Sequence, residues 1–413
     1  MSQKVLIICQ NFYPEIGSAA NRMKNIYLEL EKRGYEITVL TSEPSYPNRN
    51  LYKDSIFWQD GGLERNVIRF STRTRKYNNN IFNRLLLYLE MCFKIVSKIN
   101  RLDRKYDIVF ATTPTIFVGL TGLFAKWKLR CPLILDVRDL WPESLLGVGV
   151  FTFKPFISLA YILEKKLYRG AKHIIVNSEG FIPRIVSKGV DRQKISFMPN
   201  SLTDEELLAA SKEDNSNEGI TVIYTGNIGL AQDLEILIEV AERMKDLPIK
   251  FKIIGYGFRS KDLKMQIEEK RLHNIEWINA KNRREAVEAT GSADIAFVSL
   301  VNEDVFDTVL PGKIIDYMCM GKPIVGAISG YAAEVIERAN CGYVSRARRS
   351  EEIQRYIMEL MESEALRKQL GDNGSEYAYR NFRWEENIRV LTKVLEREYE
   401  EKSVHVCVES FHQ

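Results

Sequence analysis

One lysine in this sequence stands where a base is unexpected. Leu310-Pro311-Gly312-Lys313 precedes an apolar run with helical spacing, so Gly312 and Lys313 fall at the predicted start of a helix. The N-terminus of a helix carries partial positive charge, which disfavours a base unless an anion lies beside it. Free backbone N–H groups at the same end also bind anions such as phosphate. Gly312 and Lys313 are therefore candidates for a phosphate site.

Two further turns join a predicted strand to a predicted helix through glycine. Gly17 closes the segment 9–18, and Gly226 with Asn227 directly follows an apolar run. Glycine lets backbone approach a ligand, and in open α/β sheets ligands bind at the carboxyl ends of strands. Both turns are therefore candidate binding loops. The alternative for the first is an ordinary loop capped by Ser18.

The elements that position these turns follow from a regular alternation of short apolar runs with helical patterns, which is typical of parallel sheets with crossover helices. The predicted strands are 4–10, 36–41, 67–71, 107–112, 132–136, 173–177 and 195–198 in the first half, and 220–224, 249–255, 275–278, 295–298, 323–327 and 342–344 in the second.

Each half of the chain predicts its own Rossmann-like domain, and the length of 413 residues fits two domains. We expect the first domain at 1–200 and the second at 201–384. A helical pattern over 385–402 is expected to return to the first domain and to be followed by a frayed tail at 403–413. The fold class is therefore α/β.

Composition excludes several classes of protein. Six cysteines without a C-x-x-C pair and four histidines predict neither a disulfide framework nor a zinc site, and no G-x-S-x-G motif accompanies them. We expect no metal or other cofactor. The longest uncharged apolar stretch, 112–125, is shorter than the ~20 residues of a membrane helix. A strand begins at once after the N-terminus, so we expect a cytoplasmic protein.

The net charge of +4 hides an asymmetry. Residues 1–200 carry 31 Lys and Arg against 17 Asp and Glu, whereas residues 201–413 carry 28 against 38. The excess of bases is greatest over 65–105, where eleven bases accompany two acids. Such a bias predicts an anionic partner.

The basic segment 65–105 and the stretch 151–169 also contain many apolar and aromatic residues. One interpretation is a pair of core helices with basic outer faces. The other is a surface that docks peripherally on the inner, anionic face of the cell membrane. Nucleic acid is not expected as a partner, because no nucleic-acid-binding module is recognisable and the second half is acidic.

Beyond these patterns, the sequence resembles the retaining family-4 glycosyltransferases of the GT-B fold. The family has a Glu-x7-Glu stretch before Ala-x-Gly-x-Pro-Val-Val, and Asp316 followed by Met320-Gly321-Lys322-Pro323-Ile324-Val325 matches its second half. Further likeness lies in Met198-Pro199-Asn200-Ser201, in Ile254-Gly255-Tyr256-Gly257 and in Trp384 before the last helix. The resemblance implies two Rossmann-like domains whose parallel sheets face a central cleft, the first binding the acceptor and the second the nucleotide-sugar.

The sequence departs from the family at three places. Thr308 stands where the first glutamate is expected, the loop after Gly226 lacks the Arg and Lys that commonly hold the diphosphate, and 136–143 lacks a histidine that many members carry. The last pattern resembles the subgroup of capsule and O-antigen enzymes that includes N-acetyl-L-fucosamine transferases.

The resemblance implies roles for individual residues. Asp316 would accept the ribose hydroxyls of the donor, and Arg138 and Asp139 would act from the first domain. The residues expected to bind the donor are Gly17, Gly226, Asn227, Gly255, Gly257, Gly312, Lys313 and Asp316. Those expected to be catalytic are Arg138, Asp139 and Lys313, and those expected to contact acceptor or sugar are Glu15, Asn21, Arg22, Asp307 and Thr308.

These features and the resemblance together predict a glycosyltransferase that moves a sugar from a UDP-linked donor to a lipid-linked or polysaccharide acceptor. The subgroup that the sequence resembles implies that this sugar is an N-acetylated amino sugar. With retention the leaving phosphate itself takes the acceptor proton, whereas with inversion Asp139 or Glu15 would be the base. The alternatives are a sugar-nucleotide 2-epimerase of the same fold, against which the scarcity of histidine argues, and a non-catalytic sugar-binding protein.

Overall fold

The computed structural model of this chain describes residues 2–58, 63, 65–73, 81–113, 116–149, 153–210 and 219–410. The chain divides into two compact units, each with its own sheet. Unit 1 comprises Met1–Pro199 with Trp384–Gln413, and unit 2 comprises Asn200–Arg383. Both sheets are parallel and are accompanied by helices, so the predicted α/β class with two Rossmann-like domains is confirmed.

Unit 1 contains a seven-stranded parallel sheet in the order β3-β2-β1-β4-β5-β6-β7. Its central strands are buried over nearly their whole length, because a parallel sheet covered by helices on both faces needs apolar residues on both. The strands are β1 (Lys4–Ile8), β2 (Glu36–Ser42), β3 (Val67–Phe70), β4 (Ile108–Thr112), β5 (Leu133–Val137), β6 (His173–Val176) and β7 (Ile195–Phe197).

The helices that connect these strands are α1 (Ser18–Lys32), α2 (Ile81–Asn100), α3 (Ile116–Leu129), α4 (Glu143–Gly147), α5 (Lys154–Gly170) and α6 (Phe181–Ser187). Apolar residues of α1 at helical spacing, Met23, Ile26, Tyr27 and Leu30, are buried in the same core as strands β1 and β4.

Unit 2 repeats this plan with a six-stranded parallel sheet in the order β10-β9-β8-β11-β12-β13. The strands are β8 (Ile220–Asn227), β9 (Ile249–Tyr256), β10 (Ile275–Ile278), β11 (Ile295–Ser299), β12 (Ile324–Ala327) and β13 (Gly342–Val344). The helices are α7 (Asp204–Ala210), α8 (Glu235–Arg243), α9 (Ser260–Glu269), α10 (Arg283–Gly291), α11 (Gly312–Cys319), α12 (Gly330–Ala339), α13 (Ser350–Glu362) and α14 (Glu364–Asn381).

The last helix, α15 (Trp384–Ser410), belongs to unit 1. Trp384, Ile388, Leu391 and Leu395 are buried in the core that also contains the apolar residues of α1. The helix continues past residue 402, so the expected tail is wrong over 403–410, a stretch without Gly or Pro to end a helix. Residues 411–413 of that tail lie outside the described residues.

The strand order of each sheet reverses at one place. In unit 1 the reversal lies between β1 and β4, and in unit 2 it lies between β8 and β11. Open α/β sheets bind ligands outside the carboxyl ends of the strands at such a reversal. The loops after β1 and β4, and those after β8 and β11, are therefore the places to look for sites.

Candidate active site

The turn after β8 is held against the end of β9 by glycine. Gly226 has φ 117°, and Gly255 is its partner in the sheet register. A Cβ on Gly255 would lie 2.3 Å from the carbonyl oxygen of Gly226, and one on Gly257 would lie 2.2 Å from that of Ile228. Because neither distance is possible, backbone packing alone requires Gly255 and Gly257. A donor contact by these two glycines stays a prediction.

Lys313 joins the third motif to this turn. Its Nζ lies 3.5 Å from the centre of the Tyr224 ring and 3.7 Å from the place where a Cβ on Gly226 would stand. The Nζ atom is buried, and no acceptor in the part of the chain that the structure describes forms a hydrogen bond to it. Burial lowers the pKa of Lys313 well below its usual value, and the charge of Asp316 opposes this only in part. An anion placed beside Nζ would provide the acceptor that it lacks.

Asp316 lies one turn further along α11 and is paired. Nη1 of Arg283 donates to Oδ2 of Asp316 and Nη2 donates to Oδ1, both at 2.7 Å. Nε of Arg283 donates to Oε1 of Glu206 at 2.8 Å. Burial on its own would lower the pKa of Arg283, but the two carboxylates outweigh it and raise that pKa well above its usual value. A ligand reaching Asp316 therefore meets a carboxylate whose two oxygens already accept hydrogen bonds.

Arg283 was not predicted, although a signal was present. It is the first residue of α10, after the N-cap Asn282, and a base at that position opposes the helix dipole just as Lys313 does. The same argument applied to both helices would have selected it.

Asp307 and Thr308 are bound to their surroundings. Asp307 accepts a hydrogen bond from the hydroxyl of Ser329, which in turn accepts one from Nη2 of Arg348 at 3.0 Å. The hydroxyl of Thr308 donates to the carbonyl of Val305 at 2.6 Å. These interactions fix the loop after β11 against the start of α12. Sugar contacts by either side chain stay predictions.

Glu15 ties two loops of unit 1 together. Its carboxylate is buried and accepts hydrogen bonds from the amide of Tyr46 at 2.7 Å and from the side chain of Asn11 at 2.9 Å. Burial raises the pKa of Glu15 to about 7 in spite of these bonds. The next glycine, Gly17, has φ 118° and is the N-cap of α1, so the alternative that Ser18 caps this helix is wrong.

Arg22 is enclosed within unit 1. Its guanidinium has no exposed surface and donates to both carboxylate oxygens of Asp136, with the shortest distance 2.8 Å, and to the carbonyl of Pro199 at 3.0 Å. It also lies 5.8 Å from the centre of the Trp384 ring. The prediction that Arg22 contacts acceptor or sugar is therefore wrong, because the side chain is fully committed to packing. Its neighbour Asn21 is half-buried and accepts a hydrogen bond from Asn25 at 3.3 Å.

Arg138 follows β5 and reaches the start of α1. Nη2 donates to the hydroxyl of Ser18 at 3.3 Å, and the backbone amide donates to the hydroxyl of Thr113 in the loop after β4 at 3.2 Å. Nε is buried, and among the described residues it has no hydrogen-bond partner. Burial lowers the pKa of Arg138 to about 10, with Asp136 opposing and Arg22 adding to the effect. Arg138 therefore contacts both loops at the strand reversal of unit 1, the one after β1 and the one after β4.

Asp139 lies in the same segment. It accepts hydrogen bonds from the hydroxyl of Ser144 and from the amide of Leu140. Burial nevertheless raises its pKa from 3.8 to about 6, and the negative charge of Glu143 adds to this. A carboxylate with that pKa changes its charge within the pH range in which sugar transfer could be assayed.

The described residues contain neither a metal-ligand cluster nor a helix that could cross a membrane. No group of three or more His, Cys, Asp or Glu residues is arranged to hold a metal ion within the described ranges. Among the helices described, none has the length and apolar character needed to cross a bilayer.

Each of the two units matches the model of a known protein family. The family model "Glycosyl transferase 4-like domain" matches residues 17–201, and the model "Glycosyl transferases group 1" matches residues 208–377. The first match covers the Gly17 turn and the Arg138 segment. The second covers the Gly226 turn, Lys313 and Asp316.

Individual relatives agree with the family models. WcaI of Escherichia coli strain K12, whose name assigns it to colanic acid biosynthesis, is 22% identical over 345 residues, which cover 79% of this chain and 84% of WcaI. A glycosyltransferase of Methanocaldococcus jannaschii is 23% identical over 404 residues, which cover 95% of this chain and 98% of that protein.

A solved structure has the same fold over nearly the whole chain. Anabaena HepE in complex with UDP and glucose superposes with a TM-score of 0.69 at 16% identity, over 96% of this chain and 100% of that one. This chain therefore belongs to the glycosyltransferases, with a glycosyl transferase 4-like domain followed by a glycosyl transferases group 1 domain.

Proposed function

We propose that this glycosyltransferase uses a nucleotide-sugar donor, linked to UDP, and transfers its sugar with retention to a lipid-linked or polysaccharide acceptor during synthesis of a surface polysaccharide. The observation that carries the proposal is the buried Nζ of Lys313, which lies at a helix start beside Gly226 and lacks an acceptor among the described residues.

The chemistry of such a donor explains what Lys313 would do. Negative charge grows on the leaving diphosphate as the bond to the sugar breaks, and donors already in place stabilise that charge. Lys313 and the backbone N–H groups at the start of α11 are such donors, and the helix dipole adds to them. They supply this stabilisation without needing a metal ion.

The donor's identity is proposed on two grounds. HepE, which shares the fold, was solved with UDP and glucose bound, and this favours UDP as the nucleotide. The preference for an N-acetylated amino sugar rests on the likeness to capsule and O-antigen enzymes in the segment 136–143. Surface polysaccharide synthesis is supported by the name of WcaI.

The other side chains complete the proposal. Asp316 binds the ribose hydroxyls, since a carboxylate can accept from two neighbouring hydroxyls. Arg138 and Asp139 orient the transferred sugar or the acceptor. With retention the leaving phosphate accepts the acceptor's proton, so Asp139 need not act as a base.

The decisive experiment removes the amino group of Lys313 while keeping the side-chain volume. We expect Lys313→Met to lower the rate of sugar transfer by about 10²–10³, equivalent to ~2.7–4 kcal/mol, as for loss of one preorganised donor at a developing anion. Lys261→Met, at an exposed position on α9, is the matched control and should keep the wild-type rate. A Lys313→Met protein that folds and transfers at the wild-type rate would rule out the phosphate role.

A second measurement separates a transferase from the alternatives. Thermal-shift titration with UDP-, GDP- and ADP-sugars identifies the donor, because a specific ligand stabilises the native state by mass action. With that donor, release of nucleoside diphosphate on adding acceptor, and the anomer of the product by NMR, report on transfer and retention. A binding protein would release none, and an inverted anomer would contradict retention.

Membrane docking is proposed for the outer surface of three helices of unit 1. Helix α3 packs against both α2 and α5. Large apolar side chains are exposed on all three: Leu86, Leu89 and Phe93 on α2, Trp127 on α3, and Leu159 and Ile162 on α5. Exposed bases accompany them, among them Lys128, Lys165 and Lys166. This combination suits an anionic bilayer surface, to which each base contributes ~1 kcal/mol. Residues 74–80 and 151–152 of the two predicted segments lie outside the described residues.

Vesicle co-sedimentation tests this surface. We expect the protein to sediment with vesicles that contain anionic lipid and far less with neutral ones. The Phe93→Ser/Trp127→Ser variant should lose most of that binding, whereas Met265→Ser, which removes an exposed apolar side chain of unit 2, should not. Equal binding to neutral and anionic vesicles would contradict the proposal.

A further inference from the structure

The carboxylate of Asp316, for which we propose a ribose contact, already accepts two hydrogen bonds in this structure. Arg283 approaches Asp316 with both terminal nitrogens, each 2.7 Å from a different carboxylate oxygen. This parallel, two-bond pairing is the strongest arrangement that an arginine forms with a carboxylate. The side chains are part-exposed, Arg283 at 35% and Asp316 at 24%, so solvent and ligand can reach the pair.

Two neighbouring hydroxyls of a ribose would need the same edge of the carboxylate. A diol donates one hydrogen bond to each oxygen, and the two terminal nitrogens of Arg283 now do so. From this overlap we propose that Arg283 competes with the donor ribose for Asp316 and so limits the affinity that the ribose hydroxyls contribute. The inference rests on the proposed ribose role of Asp316 and adds a residue to it.

Arg283 has a second partner that can hold it after it leaves Asp316. Its Nε donates to Oε1 of Glu206 at 2.8 Å. The other oxygen of Glu206 accepts from the amide of Thr203 at 2.9 Å, and the Thr203 hydroxyl accepts from the amide of Glu206 at 3.2 Å, so Glu206 is fixed at the start of α7. The exchange therefore leaves Arg283 paired with one carboxylate, and it frees Asp316 for the ligand.

The competition lowers the net affinity that a ligand gains from its ribose hydroxyls. A ligand with both hydroxyls replaces the two hydrogen bonds that Asp316 loses from Arg283. A ligand without them leaves the pair in place and gains nothing from Asp316, so only the ribose ligand has to displace Arg283. Removing Arg283 should thus increase the part of the affinity that comes from the hydroxyls.

The test compares the dissociation constants of a nucleoside diphosphate and of its 2′,3′-dideoxy analogue, measured by calorimetry on the full chain. The nucleotide is the one among uridine, guanosine and adenosine diphosphate that gives the largest thermal shift. Taking the ratio of the two constants cancels the change in phosphate affinity caused by losing a positive charge. We expect Arg283→Met to raise the ratio of dideoxy to ribose constants by about tenfold.

Arg284→Met is the matched control. Arg284 is the next residue of α10, its side chain is 81% exposed, and it pairs with Glu288. It should leave the ratio at the wild-type value. Arg283→Lys, which retains the charge but cannot form the two-bond pairing, should raise the ratio by less than Arg283→Met does. Thermal unfolding without ligand verifies that each variant folds.

The outcomes separate this inference from the proposed function. A ratio that falls in Arg283→Met would mean that Arg283 orients Asp316 for ribose, and an unchanged ratio would mean that it does neither; both overturn the competition. Asp316→Asn tests the ribose role itself and should bring the ratio close to one. If Asp316→Asn leaves the wild-type ratio, or if none of the three diphosphates binds, the proposed function is wrong and the competition with it.

Discussion

Arg22 in unit 1 and Lys313 in unit 2 are buried bases near the carboxyl ends of their strands, and they differ in their partners. Arg22 in unit 1 is fully enclosed, and Asp136 accepts from it with both oxygens. Lys313 in unit 2 has a buried Nζ for which no acceptor is present in the described part of the chain. A buried charge is costly unless it is paired. The difference is what we expect if Arg22 serves the fold and Lys313, as proposed, binds an anion from outside the chain.

The largest expected effect concerns the paired base. Arg22→Met leaves the Asp136 carboxylate buried without its partner and should lower the free energy of unfolding by about 3–5 kcal/mol. Urea denaturation followed by tryptophan fluorescence, to which Trp384 beside Arg22 contributes, measures this. Arg104→Met removes an exposed pair with Glu36 in the same unit and should cost under ~1 kcal/mol.

A double variant sharpens the result. Arg22→Met/Asp136→Leu removes both charges and should regain most of the lost stability, because the penalty comes from the uncompensated carboxylate. If Arg22→Met alone were as stable as the wild type, the structural assignment of Arg22 would fail.

A smaller effect distinguishes two carboxylates of unit 1 whose pKa values are raised. Burial raises the pKa of Asp139 to about 6 and that of Glu15 to about 7. If ionised Asp139 orients sugar or acceptor, the transfer rate should rise about tenfold between pH 5 and pH 7. Asp139→Asn should abolish that rise. Glu15→Gln should retain it, since Glu15 bonds only within its own loops in the contacts described above.

The contribution of Asp139 to the stability of the folded protein should fall over the pH range in which the transfer rate rises. The pKa of Asp139 is raised above its ordinary 3.8, so its contribution to stability is complete below about pH 4 and is lost as the pH rises through about 6. Between pH 4 and pH 7 the melting temperature should fall less steeply for Asp139→Asn than for the wild type. An equal fall of the melting temperature in both proteins would contradict the pKa assigned to Asp139.

The smallest predicted change is the stability of a Lys313 variant. Since Lys313→Met removes a buried amino group that lacks an acceptor, it should raise the free energy of unfolding by ~1 kcal/mol, whereas Arg22→Met lowers it. Denaturation of the two variants under one set of conditions gives both values. A large loss of stability in Lys313→Met would show that Lys313, like Arg22, is a structural base.

The two sheets were predictable from sequence because buried parallel strands are continuous apolar runs, as β1 and β12 are. Helix starts were predictable where one residue is out of place, as Lys313 is at the start of α11. Strand and helix positions depend on neighbouring residues in the chain, and those are visible without a structure.

The pairing of charges was not predictable in the same way. Arg22 is 114 residues from Asp136, and Arg283 is 33 residues from Asp316 and 77 from Glu206. Such partners depend on which strands become neighbours, and no local pattern contains that information. For this reason a saccharide contact was expected for Arg22, and the partners of Arg283 could not be predicted.

In the proposed function, Lys313 binds the diphosphate of the donor. Isothermal titration of the nucleoside diphosphate that gives the largest thermal shift, into wild type, Lys313→Met and the control Lys261→Met, tests it most directly. We expect the dissociation constant to be about 10–100-fold higher for Lys313→Met and unchanged for Lys261→Met. Equal affinity of Lys313→Met and the wild type would contradict it.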